Sequence, residues 1–177
     1  MQPRHEVLVS GALLLAFGQA CVNLNFYIEE DSRSLFRNLQ PTEWYPLETF
    51  TNMLHIVVEK YSDPAPILEQ IGIEMMNFWY NIGPGKQYVK RGVDFLRFQT
   101  SSEGYYSVIR GDPNQIGEFT LKNLDEQEGT AIVRSTTPFN KHMERGILIG
   151  GLGLAQDLIY ISVDNSLDAH TFLIEFH

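Results

Sequence analysis

The chain has 177 residues, enough for one domain that buries roughly 70% of its unfolded surface and keeps a real core. Its net charge of −9 excludes nucleic acid and an anionic membrane face as expected partners, since both are held by Lys and Arg. One cysteine, Cys21, excludes a disulfide framework and a multi-cysteine metal site, and is expected as a buried thiol in a reducing, cytoplasmic setting.

Residues 1–21, MQPRHEVLVSGALLLAFGQAC, carry a basic end, a short apolar run and small residues ahead of Cys21, the layout of a lipoprotein signal. Glu6 in the basic part and the poor cleavage site Gly18-Gln19-Ala20 point instead to a buried first element, apolar on nearly all sides over residues 7–22. No run reaches roughly eighteen apolar residues, so no membrane-spanning helix is expected. Residues 29–39 read as a short amphipathic helix. Trp44-Tyr45-Pro46 opens the next helix, with Pro46 at the first helical position, where a missing N–H costs nothing. Leu47, Phe50, Leu54, Val57 and Tyr61 follow at steps of three and four.

Asp63 is expected to cap a further helix carrying Ile67, Leu68, Ile71, Met75, Phe78 and Trp79 on one face, ended by the turn residues 81–85. Residues 87–110 read as one helix bent near 101–104, and 112–114 as a turn. Residues 117–123 and 130–135 alternate as paired strands. Residues 136–138 start a helix running to about 155, whose Gly146, Gly150, Gly151 and Gly153 are expected to let it press closely on the sheet. Residues 158–163 and 171–176 are two more strands. The fold class is therefore α+β: a helical N-terminal half, residues 1–83, packed on a four-stranded antiparallel sheet with one long helix between its two strand pairs, residues 84–177, all as a single domain over 1–177.

Little here recommends an enzyme. The segment GGLGLAQ lacks dinucleotide-loop spacing and lies inside a helix. The five histidines, His5, His55, His142, His170 and His177, form no pair at metal-ligand spacing. No nucleophile elbow surrounds Ser10, and Glu29, Glu30 and Asp31 read as a solvated acidic run. The aromatic set Phe78, Trp79, Tyr88, Phe95, Phe98, Tyr105 and Tyr106 fits neighbouring helix faces. Such a set is either core or the wall of an apolar small-molecule cavity with a few hydroxyls.

Several local features, in order, carry a likeness: Trp44-Tyr45-Pro46, Gln70-Ile71-Gly72, Phe95-Leu96 opening a helix, a turn with Pro113, Phe119 leading a strand, a long helix after the second strand, and the closing His170-Thr171-Phe172-Leu173-Ile174. Over most of its length the chain resembles the haem nitric-oxide/oxygen-binding (H-NOX) family and its 4-vinyl-reductase-like relatives. The resemblance implies the α+β fold above and a sensory or regulatory role. It also places the family's iron-ligating histidine at Glu103 or Gly104. The family's propionate-holding Tyr-x-Ser-x-Arg motif falls near residues 134–138, where Ser135 alone survives. The run Tyr105-Tyr106-Ser107-Val108-Ile109-Arg110 is similar but displaced. A tyrosinate from Tyr105 or Tyr106 is the remaining route to iron, and no haem is expected as a cofactor.

The resulting expectation is a non-enzymatic sensory or regulatory domain. It would hold a small apolar molecule between the helical half and the sheet, with Phe78, Trp79, Phe95, Phe98, Glu103, Tyr105, Tyr106 and Ser135 as the candidate pocket residues. It would report to a signalling partner in trans. A dimerising interaction module is the alternative, and a haem gas sensor with a non-histidine ligand follows behind it.

Overall fold

The structure, a computed structural model, describes residues 6–26 and 30–177. Strand β1 (Leu8–Ser10) leads directly into α1 (Gly11–Asn23), and the Ser10 hydroxyl caps that helix by accepting from the Leu13 N–H at 3.2 Å. The apolar opening stretch is thus core: Leu14, Phe17, Ala20 and Cys21 are fully buried. Burial pushes the Cys21 thiol up to about 12, and the thiolate is the reactive form. Native protein is therefore expected to resist alkylation at Cys21, with complete labelling once unfolded. Intact-mass measurement checks this, and rapid labelling of the folded chain would contradict the placement.

Helix α2 (Glu30–Arg37) follows, then β2 (Trp44–Pro46) and α3 (Leu47–Val58). Here the sequence expectation needs correction. Trp44-Tyr45-Pro46 leads straight into α3 with Pro46 as its N-cap and not its first helical residue, and it also pairs antiparallel with β1 in the register Leu8 with Pro46, Val9 with Tyr45 and Ser10 with Trp44. Pro46 can serve there because an edge strand does not need its missing N–H. The other side of β1 pairs with β3 (Ile109–Arg110), giving a small three-stranded sheet in the order β2-β1-β3.

Helix α4 (Ala65–Asn81) begins after Pro64, with the Asp63 carboxylate accepting from the Ala65 N–H at 3.3 Å. The expected bent helix over 87–110 is instead three pieces, α5 (Gly85–Tyr88), α6 (Gly92–Gln99) and α7 (Tyr105–Val108), running into β3. Side chains make the breaks. The Asp94 carboxylate accepts from the Arg91 and Lys90 N–H groups at 2.8 and 3.2 Å, which starts α6 afresh. At its end the Thr100 hydroxyl donates to the Leu96 carbonyl at 2.7 Å, sharing it with the Thr100 N–H, and the Ser101 hydroxyl and N–H both reach the Phe98 carbonyl at 2.6 and 3.0 Å, an i to i−3 turn that closes the helix.

A short helix α8 (Pro113–Ile116), capped by Asp112, precedes β4 (Phe119–Asp125) and β5 (Thr130–Ser135). Helix α9 (Lys141–Gly153) starts later than expected: Asn140, not residues 136–138, caps it by accepting from the His142 N–H at 2.9 Å. Strands β6 (Ile161–Asp164) and β7 (Thr171–Phe176) complete a four-stranded antiparallel sheet in the order β4-β5-β7-β6. Its inward row includes Ala131, Val133, Val163, Phe172 and Ile174, all buried.

The α9 glycines serve mainly α4, not the sheet as expected. A Cβ on Gly146 would lie 2.8 Å from the Glu69 carbonyl carbon, and one on Gly150 would lie 2.8 Å from the Ile73 Cα. Arg145 fastens the same junction: it donates to the Val163 carbonyl of β6 at 2.6 Å and pairs with Glu69 of α4.

Candidate functional site

The space between the helical half and the sheet, expected to hold a guest, is filled by rings. Phe17 meets Phe50 edge-on at 5.3 Å, Phe50 meets Phe139 at 5.3 Å, and Phe139 meets Tyr105 at 6.1 Å. Tyr105 then lies 6.0 Å from Phe119 at the head of β4. Tyr105 is 2% exposed and its hydroxyl donates to the Ile116 carbonyl. Burial, and next the nearby Glu144 charge, push that phenol well above its ordinary range. It is a core residue held in its neutral form.

A cavity of about 380 Å³ does exist, one layer away, among α1, α4, α6 and α7. No residue of the four-stranded sheet lines it. Met75, Phe95 and Ile147 form its buried floor. One wall is an aromatic stack: Trp79 lies on Phe98 at 4.8 Å and 29°, and Tyr88 on Phe98 at 4.7 Å and 39°. The opposite wall comes from Leu13 and Ala16 of α1, with Trp44 from β2. Glu103 and Ser107, both exposed, stand at the mouth. The stack forms because α4 and α6 are both pinned against α9, through Gly150 and Gly151. A larger recess of about 610 Å³ lies between α1 and α2, lined in part by Leu15, Gly18 and Phe36.

Of the candidate residues, Trp79, Phe95, Phe98 and Glu103 come together on this cavity. Four do not. Phe78 is half-buried elsewhere on α4, Tyr105 is in the core, Tyr106 is exposed at 5.0 Å from Tyr105, and Ser135 is buried at the end of β5. Among the lining residues missed are Met76, Leu13, Ala16 and Trp44. Met76 stood next to a correctly read face, and an opening stretch apolar on all sides was the one signal for Leu13 and Ala16. Nothing local marked Trp44, which reaches the cavity only through the β1–β2 pairing.

Ser135 belongs to a second, polar cluster. Glu144, 3% exposed, accepts from the Ser135 hydroxyl at 2.8 Å, from Lys141 Nζ at 2.8 Å and from the Thr137 hydroxyl. Lys141 also reaches the Ser135 hydroxyl at 2.9 Å. A serine beside a lysine is a nucleophile–base pattern, yet Ser135 is 0% exposed and lines none of the cavities found. The cluster ties β5 to the first turn of α9. Burial raises the Glu144 carboxyl above its ordinary range, opposed by Lys141, Thr137 and Ser135.

No protein-family model matches the chain, and no curated protein matches it. Solved structures do. An oxygen-binding H-NOX domain related to soluble guanylate cyclases, in its oxygen complex, superposes with a TM-score of 0.70 at 14% identity over 94% of each chain. An H-NOX protein from S. oneidensis in the Fe(II)NO ligation state gives 0.65 at 12% identity, over 95% of this chain and 99% of that one. A structure described by haem redox potential and porphyrin distortion gives 0.69 at 13% identity, over 94% and 98%. The chain has the fold of H-NOX domains.

Haem is what that fold family implies, and the cavity lining can be tested against it. Iron is held by histidine, thiolate or tyrosinate, with methionine as a second ligand beside histidine. Among the described residues no histidine or cysteine lines the cavity, and neither do lysine or arginine to meet two propionates. Met75 and Met76 offer thioethers without a histidine partner, the Tyr105 phenol is spent on Ile116, and Tyr88, the one phenol on the lining, is packed against Phe98 as the outer ring of the stack, 39% exposed. No group of three metal-ligating side chains occurs among the described residues. The residues present do not fit haem.

Proposed function

We propose that residues 1–177 act as one non-enzymatic sensory or regulatory domain that binds a small apolar organic molecule, not haem, in the α1–α4–α6 cavity and reports to an output protein in trans in the cytoplasm. One observation carries this reading: an aromatic-walled cavity in an H-NOX fold whose lining, among the described residues, has no histidine or cysteine to hold iron and no cation for propionates. A volume near 380 Å³ falls at the lower end of organic-ligand sites, which run about 300–1,000 Å³. A guest packed there biases how α1 and α6 sit on α4. Because α4 is locked to α9, the bias passes to the sheet as a population shift. Within the described residues no helix is long and apolar enough to cross a membrane. A dimerising module has no observation behind it among the described residues.

Native mass spectrometry of the protein as purified tests the reading. The expected result is an organic adduct that is absent from Ala16→Phe, which fills the cavity from the α1 side. Addition of haem is expected to give no saturable Soret band. Stoichiometric haem uptake, or an adduct that Ala16→Phe leaves in place, would overturn the proposal.

A further inference from the structure

The charge pattern of the cavity goes further, granted that it binds a ligand. We propose that its ligand is a cationic amphiphile, an organic ammonium carrying an alkyl or aromatic body, and not a carboxylate such as a fatty acid.

Among the described residues the ionisable side chains on the lining are Glu103 and Tyr88. A carboxylate ligand would leave water beside Glu103 with no lining cation to pair with, and an unpaired charge in an apolar site is strongly disfavoured. An ammonium meets the opposite situation. Among the described residues no basic side chain pairs with the Glu103 carboxylate, although the Glu103 backbone is fixed by the Ser101 hydroxyl, which accepts its N–H at 3.2 Å. Gly104 holds this turn against α6: a Cβ there would lie 2.5 Å from the Gln99 Cα. Tyr88, 39% exposed, is the outer ring of that stack. Aromatic rings attract organic cations through their quadrupole. The net charge of −9 raises the local concentration of such cations.

One cation does stand near this end. The Arg110 guanidinium lies 4.3 Å over the Trp44 ring, and Trp44 lines the cavity. Arg110 itself does not line it. A carboxylate captured by Arg110 is the rival the experiment must separate.

Both tryptophans of the chain, Trp44 and Trp79, line the cavity, so intrinsic fluorescence reads binding directly. The probes are decyltrimethylammonium, decanol and decanoate, each below its micellar concentration. The ammonium is expected to bind at least about tenfold tighter than decanoate. Glu103→Gln should shrink that ratio towards unity and Glu103→Lys should reverse it, with thermal stability unchanged because Glu103 is exposed. Ala16→Phe should abolish the response, which assigns it to the cavity and not to the surface. Equal binding of all three probes would overturn the charge assignment and leave the ligand-binding reading standing. Tighter decanoate binding that is lost in Arg110→Ala would also overturn it. Failure of all three probes would bring down both readings.

Discussion

Gly146→Ala is expected to destabilise the protein by about 3 kcal/mol, at the upper end for overpacking a tight contact. The added methyl would lie 2.8 Å from the carbonyl carbon and 2.9 Å from the Cα of Glu69, and closer still to its carbonyl oxygen. All three are backbone atoms of α4, so no rotamer change relieves the clash. The facing residue repeats the constraint: a Cβ on Gly72 would lie 2.8 Å from the Ile147 nitrogen. Relief requires α4 and α9 to separate, and that strains the Arg145 bridge to Glu69 and Val163. Against this stands the gain of up to about 1 kcal/mol that alanine brings over glycine inside a helix. Gly153→Ala isolates that gain. Its Cβ would have only Ile161 Cδ1 within reach, at 3.8 Å, an ordinary contact, so the substitution is expected to be neutral or stabilising. Urea unfolding of both variants checks the contrast. Equal stability of the two would mean that α4 and α9 do not approach as described.

This glycine seam shows where reading from the chain alone runs short. Four glycines in one helix signal close approach, but not to what: Gly146 and Gly150 meet α4, Gly151 meets Phe95, and only Gly153 faces β6. The four-stranded sheet was legible because 117–123, 130–135 and 171–176 alternate with a period of two over five or more residues. The second sheet was not, since β1, β2 and β3 have two or three residues each and no period can be read from them. That omission also hid one part of the cavity wall, because Trp44 reaches it by pairing with β1. Trp79 of α4 and Phe95 and Phe98 of α6 meet on the cavity as their spacing implied, while Phe78, read on the same face as Trp79, lies off it. Tyr105 and Tyr106 were not, because the hydroxyls of Thr100 and Ser101 end α6 and turn the chain before them. Spacing carried across that break put a core ring and an exposed ring into the pocket.

Removing the cation from the buried Ser135–Thr137–Lys141–Glu144 cluster should be the second large effect, and its pH dependence is its signature. Lys141→Met leaves the Glu144 carboxylate in a site 3% exposed. Breaking a buried pair costs about 3–5 kcal/mol. With the Lys141 side chain 23% exposed, about 2 kcal/mol near neutral pH is the fairer expectation. Burial raises the Glu144 carboxyl in the folded state. A carboxyl raised on folding binds its proton more readily in the native than in the unfolded chain. Its contribution is therefore favourable below the unfolded value and is lost as pH rises through the folded one. Without Lys141 the carboxyl moves higher still, so the loss grows. The penalty of Lys141→Met is thus expected to be largest near about pH 8 and to shrink towards about pH 5, as Glu144 takes up a proton and keeps its hydrogen bonds to Ser135 and Thr137. Adding Glu144→Gln to Lys141→Met should recover most of the loss near neutral pH and flatten the profile. Asp94, Asp164 and Asp168, whose carboxyls are lowered, act in the opposite sense but equally in every variant, so differences from wild type at each pH isolate Glu144. A Lys141→Met penalty that stays constant across this range would mean that Glu144 is not the charge Lys141 compensates.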